Sequence, residues 1–266
     1  MTYALKLSEA ERTRYRMMAE LARSDEAEIW AAAGIRAGAA VADVGCGPGA
    51  VLRLLAHEVG AAGRADGVDQ APDVVAVAAA EVADLPQARV ARGDAAATGL
   101  PLGEYDVAMC RHVLSHNGGR EAAIVAHLRD LAGPGGIVYL VDVDFTALWI
   151  NPPDPDLVEL DARYRAYHDE LGNDVTVGRS LGALLEGAGL VVEQFRFGGS
   201  VPRVPAGWRG PAWAAREALQ AAGQASAEDL ERWSAAFTRL DARADRPWVS
   251  IPLCVAVGRV PHRGDR

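Results

Sequence analysis

Hydrophobic positions along this chain recur with two periods that alternate. From about residue 8 to residue 33 apolar and charged residues interleave at helical spacing, and the turn "GIRAG" follows. Short apolar runs then take turns with helix-like segments. "AVADVG" predicts a strand and "AVLRLLAHEVG" the helix after it. "RADGVD" is strand-like and ends on Asp69, and "APDVVAVAAAEVADL" predicts a helix with Pro72 suited to its first turn. "ARVARGD" and "YDVAMC" supply a third and a fourth strand, and "REAAIVAHLRDLAGPGG" a helix stopped by glycine and proline. "IVYLVDVDF" is a fifth strand, apolar enough to be buried on both faces. Strands and helices alternating at this spacing predict an α/β fold, a mainly parallel sheet with helices on both faces.

Beyond residue 145 the rhythm breaks. "TALWINPPDPDLVELDARYRAYHDELGNDVTV" holds prolines, aspartates and aromatics in an order that suits an insertion better than another strand–helix unit. "GRSLGALLEGAGLVVEQFRF" restores helix and strand, Trp208, Trp213 and Trp233 then fall in helical surroundings, and "PWVSIPLCVAVGRV" closes the pattern as a strand. The expected organisation is an N-terminal helical cap over 1–34 and a ligand-binding core over 35–145. A lid insertion follows over 146–177, a continuation of the core over 178–197, a second, helical lid over 198–247, and the final core strand and tail over 248–266. Following a helical excursion, that final strand is expected to run antiparallel.

Composition narrows the partners. Half of the 266 residues are hydrophobic and about a quarter charged, the balance of an ordinary globule. A formal net charge of −9 argues against a nucleic-acid surface, which needs a concentrated basic patch. Charges interrupt the N-terminal segment too often for a signal peptide, and no window approaches the roughly 18 to 20 apolar residues of a membrane span. Cys46, Cys110 and Cys254 form neither a disulfide framework nor a zinc spacing. The expectation is a reduced, cytoplasmic protein.

The chemistry concentrates in "VADVGCGPGA", where Gly45, Gly47 and Gly49 follow the first strand. A strand, a glycine turn and a helix N-terminus bring backbone N–H groups and a favourable dipole to one point. Alone, the turn and Asp69 indicate an adenosine-type ligand, either a dinucleotide such as NAD or another nucleoside. Pro48 stands where a dinucleotide turn wants free backbone against pyrophosphate. Asp94 ends the third strand, where it can accept from an exocyclic adenine amine while the N–H of Ala95 faces a ring nitrogen. Both features disfavour NAD.

With "VADVGCGPG", Asp69, "GDAAATGLP" and "YDVAMCRHVLSH" in order and at normal spacing, the chain resembles the class I S-adenosylmethionine-dependent methyltransferases over about residues 35 to 145. Within these it is most similar to the ubiquinone-biosynthesis-like and small-molecule (natural-product) group. The resemblance implies a Rossmann-like seven-stranded sheet with the last strand antiparallel, and S-adenosyl-L-methionine as cofactor. It implies that Gly45 and Gly47 approach the methionyl portion, with Asp43 orienting their loop, and that Asp69 binds the ribose hydroxyls. Gln70 is then expected beside the adenine, Asp94 and Ala95 at its edge, and the backbone around Cys110 and Arg111 at the amino group. Cys46 reads as a small filler within the loop.

Methyl transfer from a sulfonium is an in-line displacement that needs a positioned acceptor and, for a hydroxyl or acidic carbon, a base. His116 is the expected base, since imidazole titrates near neutrality. Asp142 is expected to orient it or to bind an acceptor hydroxyl. His112, Asp144, Trp149 and Trp208 are candidates for the acceptor pocket. Tyr3, Glu11 and Arg14 loosely match a "Y…ExxR" segment that folds over the cofactor in some relatives. No ligand set for a metal is fixed, and Asp142, Asp144, Asn173 and Asp174 do not make one. Most of the aromatics of the two insertions are expected to form the lid's own core or a dimer interface, which allows a homodimer. The reading is methyl transfer to an oxygen or carbon centre of a small apolar or aromatic metabolite, with no nucleic acid and no membrane span. The alternatives are a non-methylating binding or regulatory protein on the same fold and, last, an NAD-dependent oxidoreductase.

Overall fold

The computed structural model describes residues 9–262, with side chains from residue 14 onward. Tyr3 and the side chain of Glu11 therefore lie outside the described residues. Helix α1 (Glu9–Ala32) leads into β1 (Ala40–Val44), α2 (Ala50–Val59), β2 (Arg64–Asp69), α3 (Pro72–Glu81) and β3 (Ala88–Arg92). Strand β4 (Val107–Arg111), α4 (Glu121–Ala132) and β5 (Ile137–Asp142) complete the parallel part of the sheet. The excursion that follows holds β6 (Trp149–Asn151) and α5 (Pro155–Glu170), before α6 (Leu181–Gly187) and β7 (Val191–Ser200) return to the sheet. Short helices α7 (Pro211–Ala214) and α8 (Arg216–Ala221), then α9 (Ala227–Ala242), lead to the long strand β8 (Trp248–Arg259).

The strands lie in the order β3-β2-β1-β4-β5-β8, with β7 on the far side of β8. Strand β8 runs antiparallel to both neighbours, as the helical excursion before it predicts. Beyond the expected seven strands there is one more, the three-residue β6. Strand β8 outruns β5: Cys254 to Arg259 pair with β5, while Trp248 to Ser250 project past it and pair with β6. Unpaired strand backbone seeks a partner, and the insertion supplies one.

Two apolar layers sandwich the sheet. Helix α2 turns Leu52, Leu55, Ala56 and Val59 inward at helical spacing, the leucines and valine each contributing roughly 1.5–3 kcal/mol on full burial. Helix α4 does the same on the other face with Ile124, Val125, Leu128 and Leu131. The insertions build a third cluster around Leu160, Tyr164, Leu219, Trp233 and Phe237, seated on Phe145 and Val249. Most of the lid aromatics are thus the lid's own core, as expected. Strand order reverses between β1 and β4, and ligands of such sheets bind at the carboxyl ends of the strands flanking that point.

Candidate active site

Two left-handed glycines shape the loop after β1. Gly45 and Gly47 have φ of 80° and 53°, a region that disfavours side chains. A Cβ on Gly45 would lie 2.2 Å from Val113 Cγ2, so the Val113 side chain after β4 packs directly on the loop backbone. The N–H groups of Gly45 and Cys46 both reach Val68 O, at 2.8 and 3.0 Å, which closes the turn onto β2. Cys46 packs against Gly67, whose absent side chain leaves room for the thiol. Burial pushes that thiol's pKa well up, in keeping with a filler.

Asp69 is the loop's anchor. Its Oδ2 accepts from the Gly47 N–H at 3.1 Å and its Oδ1 from the Ala71 N–H at 3.0 Å. Asp43, expected to orient the loop, makes no such bond. Its side chain is buried, and Oδ2 has no hydrogen-bond partner among the described residues. Burial raises its pKa to about 7, with the nearby Arg111 charge opposing and Asp69 adding to the rise. The reason for the exchange of roles is reach: Asp69 ends β2 beside the loop, whereas Asp43 lies inside β1.

At the end of β3, Asp94 Oδ1 accepts from the Ala96 N–H at 2.9 Å and from the Arg120 guanidinium. The Arg120 partnership holds its pKa below the usual carboxylate range. Ala95 is half-buried and Gln70 exposed. Arg111, at the end of β4, turns its guanidinium to Glu26 on α1 at 2.5 Å. The same Glu26 oxygen accepts from Tyr139 Oη at 2.7 Å and Trp30 Nε1 at 3.3 Å.

The turn after β4 carries the histidines. His112 has φ of 53°, the one positive value outside glycine among the described residues, and its N–H donates to Val141 O at 2.8 Å. Burial, Arg111, His116 and Arg14 together lower its pKa to about 3. His116 ends a single 3₁₀ turn over Leu114–His116, and its ring lies 5.0 Å from that of His168 on α5. Burial first, then His168 and Arg14, lower the His116 pKa to about 4. Tyr164 meets His168 edge-on at 4.4 Å and Phe145 at 5.0 Å. The Arg14 charge also opposes the rise that burial causes at Tyr164. Tyr15 reaches to within 3.7 Å of where a Cβ on Gly47 would stand, so α1 does fold over the loop.

The two aspartates at the end of β5 serve backbone instead. Asp142 Oδ2 accepts from the Ser115 N–H at 3.2 Å and Oδ1 from its neighbour Val143 at 2.9 Å. Expected to orient His116 through its side chain, it instead fixes the turn that presents His116. Burial outweighs those bonds and raises its pKa to about 6. Asp144 caps the next turn through Thr146 and pairs with Arg179, so its carboxylate is committed outside the histidine cluster. Trp149 lines an open depression of about 360 Å³ with Asn151, Val201 and Trp248, because β6 carries it to the margin of β8. Trp208 packs on the lid core. Neither tryptophan joins the histidine cluster.

Two members escaped the sequence reading, Glu26 and His168. Both stand on the apolar stripe of their helix, Glu26 with Ala19, Ala22, Ile29 and Trp30, and His168 with Leu157, Leu160 and Tyr164. A polar residue on such a stripe is the signal that marks them.

A strand-order reversal, a glycine loop and an acid ending β2 make a Rossmann-like core. Residues 41–136 match the family described as a methyltransferase domain. S-adenosylmethionine is the cofactor of that domain type. An uncharacterized 37.1 kDa protein in transposon TN4556 of Streptomyces fradiae is 32% identical over 174 residues, 65% of this chain and 49% of that protein. Nocamycin O-methyltransferase of Saccharothrix syringae is 43% identical over 74 residues, 27% of this chain and 26% of its own length. The matches thus span about half of the first relative and about a quarter of the second. The solved structure of a SAM-dependent methyltransferase from Aquifex aeolicus superposes with a TM-score of 0.51 at 19% identity, over 69% of this chain and 90% of that one. At that identity the likeness is one of fold.

The residues present suit this cofactor. Asp43 offers a buried carboxylate oxygen with no hydrogen-bond partner among the described residues, a group able to take an ammonium. Gly45 and Gly47 leave the crest of the loop bare of side chains. No helix among the described residues is long and apolar enough to cross a membrane.

Proposed function

We propose that the protein transfers the methyl group of S-adenosylmethionine to an oxygen or carbon centre of a small, largely apolar or aromatic metabolite. The observation that carries this reading is the nearness of the glycine loop to the turn after β4, where the half-buried His116 meets the buried His168 and Tyr164. When bound, the cofactor supplies an electrophilic methyl on a sulfonium whose departure leaves a neutral thioether. The chain's part is to hold and orient. Gly45 and Gly47 give backbone to the methionyl portion, Asp43 meets its ammonium, and Asp69, already braced by Gly47, turns its remaining lone pairs to the ribose. Ala95 and Asp94 serve the adenine edge, with Gln70 over its exposed side.

On the acceptor side, His116 takes the proton from the acceptor atom. Its low pKa keeps the imidazole neutral at pH 7, the state a base needs. Asp142 holds the Ser115 turn so that the ring keeps its place. Phe145, Tyr164 and Tyr167 line the lid side, which favours an apolar or aromatic body over a highly charged one. Arg14 and α1 close over the site and exclude water.

The negative net charge supports a small-molecule acceptor over a nucleic acid. Three free, buried cysteines support a reducing, cytoplasmic setting. The exposed Phe195 and Phe197 on the edge strand β7 support a homodimer, which light scattering tests. Calorimetry with S-adenosylhomocysteine and with NAD tests the donor. Tight NAD binding without the nucleoside, or donor binding with no turnover across a broad panel of phenols, enols and acidic carbons, would overturn the reading.

A further inference from the structure

The Gly118 N–H, which can only donate, points at Asn173 Oδ1 at 3.3 Å. That contact fixes the orientation of the Asn173 amide and leaves Nδ2 facing His168 Nδ1 at 3.0 Å. An amide nitrogen has only hydrogens to offer, so Nδ1 accepts with its lone pair and the imidazole proton resides on Nε2. The tautomer is thus assigned by the network around it. His168 is 2% exposed, and Nε2 is buried without a hydrogen-bond partner among the described residues. The structure spends a polar residue on the apolar stripe of α5, orders it through Asn173, and leaves its donor N–H unmet.

The surroundings say what meets it. The ring is flanked by His116 at 5.0 Å, Tyr164 at 4.4 Å and Tyr167 at 5.5 Å, an aromatic enclosure beside the proposed base. An N–H selects an oxygen with a lone pair and rejects an ammonium. An N–H donated to the attacking atom would draw electron density from it and weaken the nucleophile, so the oxygen held at His168 is a second one. Two imidazoles 5 Å apart then face two polar atoms on one small molecule.

We propose that His168 Nε2–H holds a carbonyl oxygen of the acceptor, which makes the acceptor a phenol or enol with a carbonyl on a neighbouring carbon. The proposal rests on the methyl-transfer reading for the word acceptor, while the tautomer and the unmet donor stand without it. His168 is then a specificity-determining residue: it recognises the carbonyl, and His116 serves the neighbouring hydroxyl. A site with a buried donor discriminates strongly against an analogue that leaves the donor unpaired.

The test uses the whole chain with ¹⁵N-labelled histidine, saturated with S-adenosylhomocysteine, and two small probes. The first is 2-hydroxyacetophenone; the second is 2-isopropenylphenol, in which CH₂ replaces the carbonyl oxygen. The expected result is a protonated His168 Nε2 whose proton moves downfield with the ketone alone, and binding of the ketone at least about tenfold tighter than of the alkene. His168→Gln, which keeps a donor near the Nε2 position, is expected to retain most of that preference, and His168→Met to lose it. Asn173→Asp offers Nδ1 an acceptor, so it moves the proton from Nε2 to Nδ1 and also abolishes the preference. An unprotonated Nε2 in the wild-type protein, equal binding of the two probes, or no shift with the ketone would each overturn the proposal, whether or not any variant folds. Failure to bind S-adenosylhomocysteine would sink the methyl-transfer reading instead, and the tautomer is read without it.

Discussion

The Arg111 guanidinium meets the Glu26 carboxylate at 2.5 Å across the joint between α1 and the end of β4. Both side chains are almost wholly withdrawn from water, and Tyr139 and Trp30 donate to the same oxygen. A buried pair of this kind stabilises little relative to an apolar replacement, yet losing one partner strands the other charge. Glu26→Gln is expected to cost about 3–5 kcal/mol in urea denaturation. It should also weaken S-adenosylhomocysteine binding, because α1 carries Tyr15 to the glycine loop. An unchanged midpoint would mean that α1 is held by its apolar stripe alone.

Asp69 braces the loop, and in the proposed reading it also holds the ribose, so its removal is expected to act twice. Asp69→Ala is expected to weaken donor binding by about 1–3 kcal/mol, the scale of a hydrogen-bonding group lost at a partly buried site. Amide exchange at Gly47 should quicken in the same variant, since its N–H loses its acceptor. Calorimetry and hydrogen exchange read the two effects separately. Loss of affinity with Gly47 exchange unchanged would confine Asp69 to the ligand.

His116→Ala is expected to lower turnover while donor affinity is nearly kept. The pH profile gives a sharper check. A base must be neutral to act, and the buried imidazole titrates near pH 4 rather than 6.5. The acid limb that His116 contributes to kcat/KM should therefore fall near pH 4. A limb near 6.5 that vanishes in His116→Gln would contradict the buried, low-pKa imidazole.

With the ammonium at Asp43, as proposed, this residue is expected to couple stability to donor binding. Its folded pKa, about 7, exceeds the ordinary carboxylate value of 3.8. Between those values the folded protein binds the extra proton, so this group's contribution to stability is full below about pH 4 and lost as pH rises through 7. Asp43→Asn mimics the protonated acid, and is expected to raise Tm at pH 8 while leaving it nearly unchanged at pH 4. Donor binding moves the other way. An ammonium favours the carboxylate, so wild-type affinity for S-adenosylhomocysteine should fall by up to about tenfold per pH unit below 7. The variant should bind weakly at every pH. Equal pH dependence in both proteins would place the ammonium elsewhere.

The parallel core was legible because its signals are local. Apolar runs of five or six residues, glycines after β1 and a polar residue ending β2 sit within a few positions of one another. Strand β6 was not legible: its three residues pair only because β8 overshoots β5, a fact about lengths of distant strands. The exchange of work between Asp43 and Asp69 is also one of reach, invisible until β1 and β2 are placed in register. Glu26 and His168 were readable in part. Each interrupts an apolar stripe, but their partners Arg111 and Asn173 come from other elements, and only folding shows that the interruption is filled. Trp149 and Trp208 misled for the opposite reason, since aromatic character and flanking proline or glycine say nothing of which side of an insertion faces the site.

The lid has a hydrophobic centre of its own around Trp233, and touches the sheet's apolar layers mainly through the seat formed by Phe145 and Val249. The apolar residues around Trp233 can therefore be exchanged with little effect on the sheet's own layers. In such a chain, acceptor choice can drift through the insertions over generations while the nucleoside half stays fixed, and chimeras that trade residues 146–177 and 198–247 between relatives are the natural units of recombination.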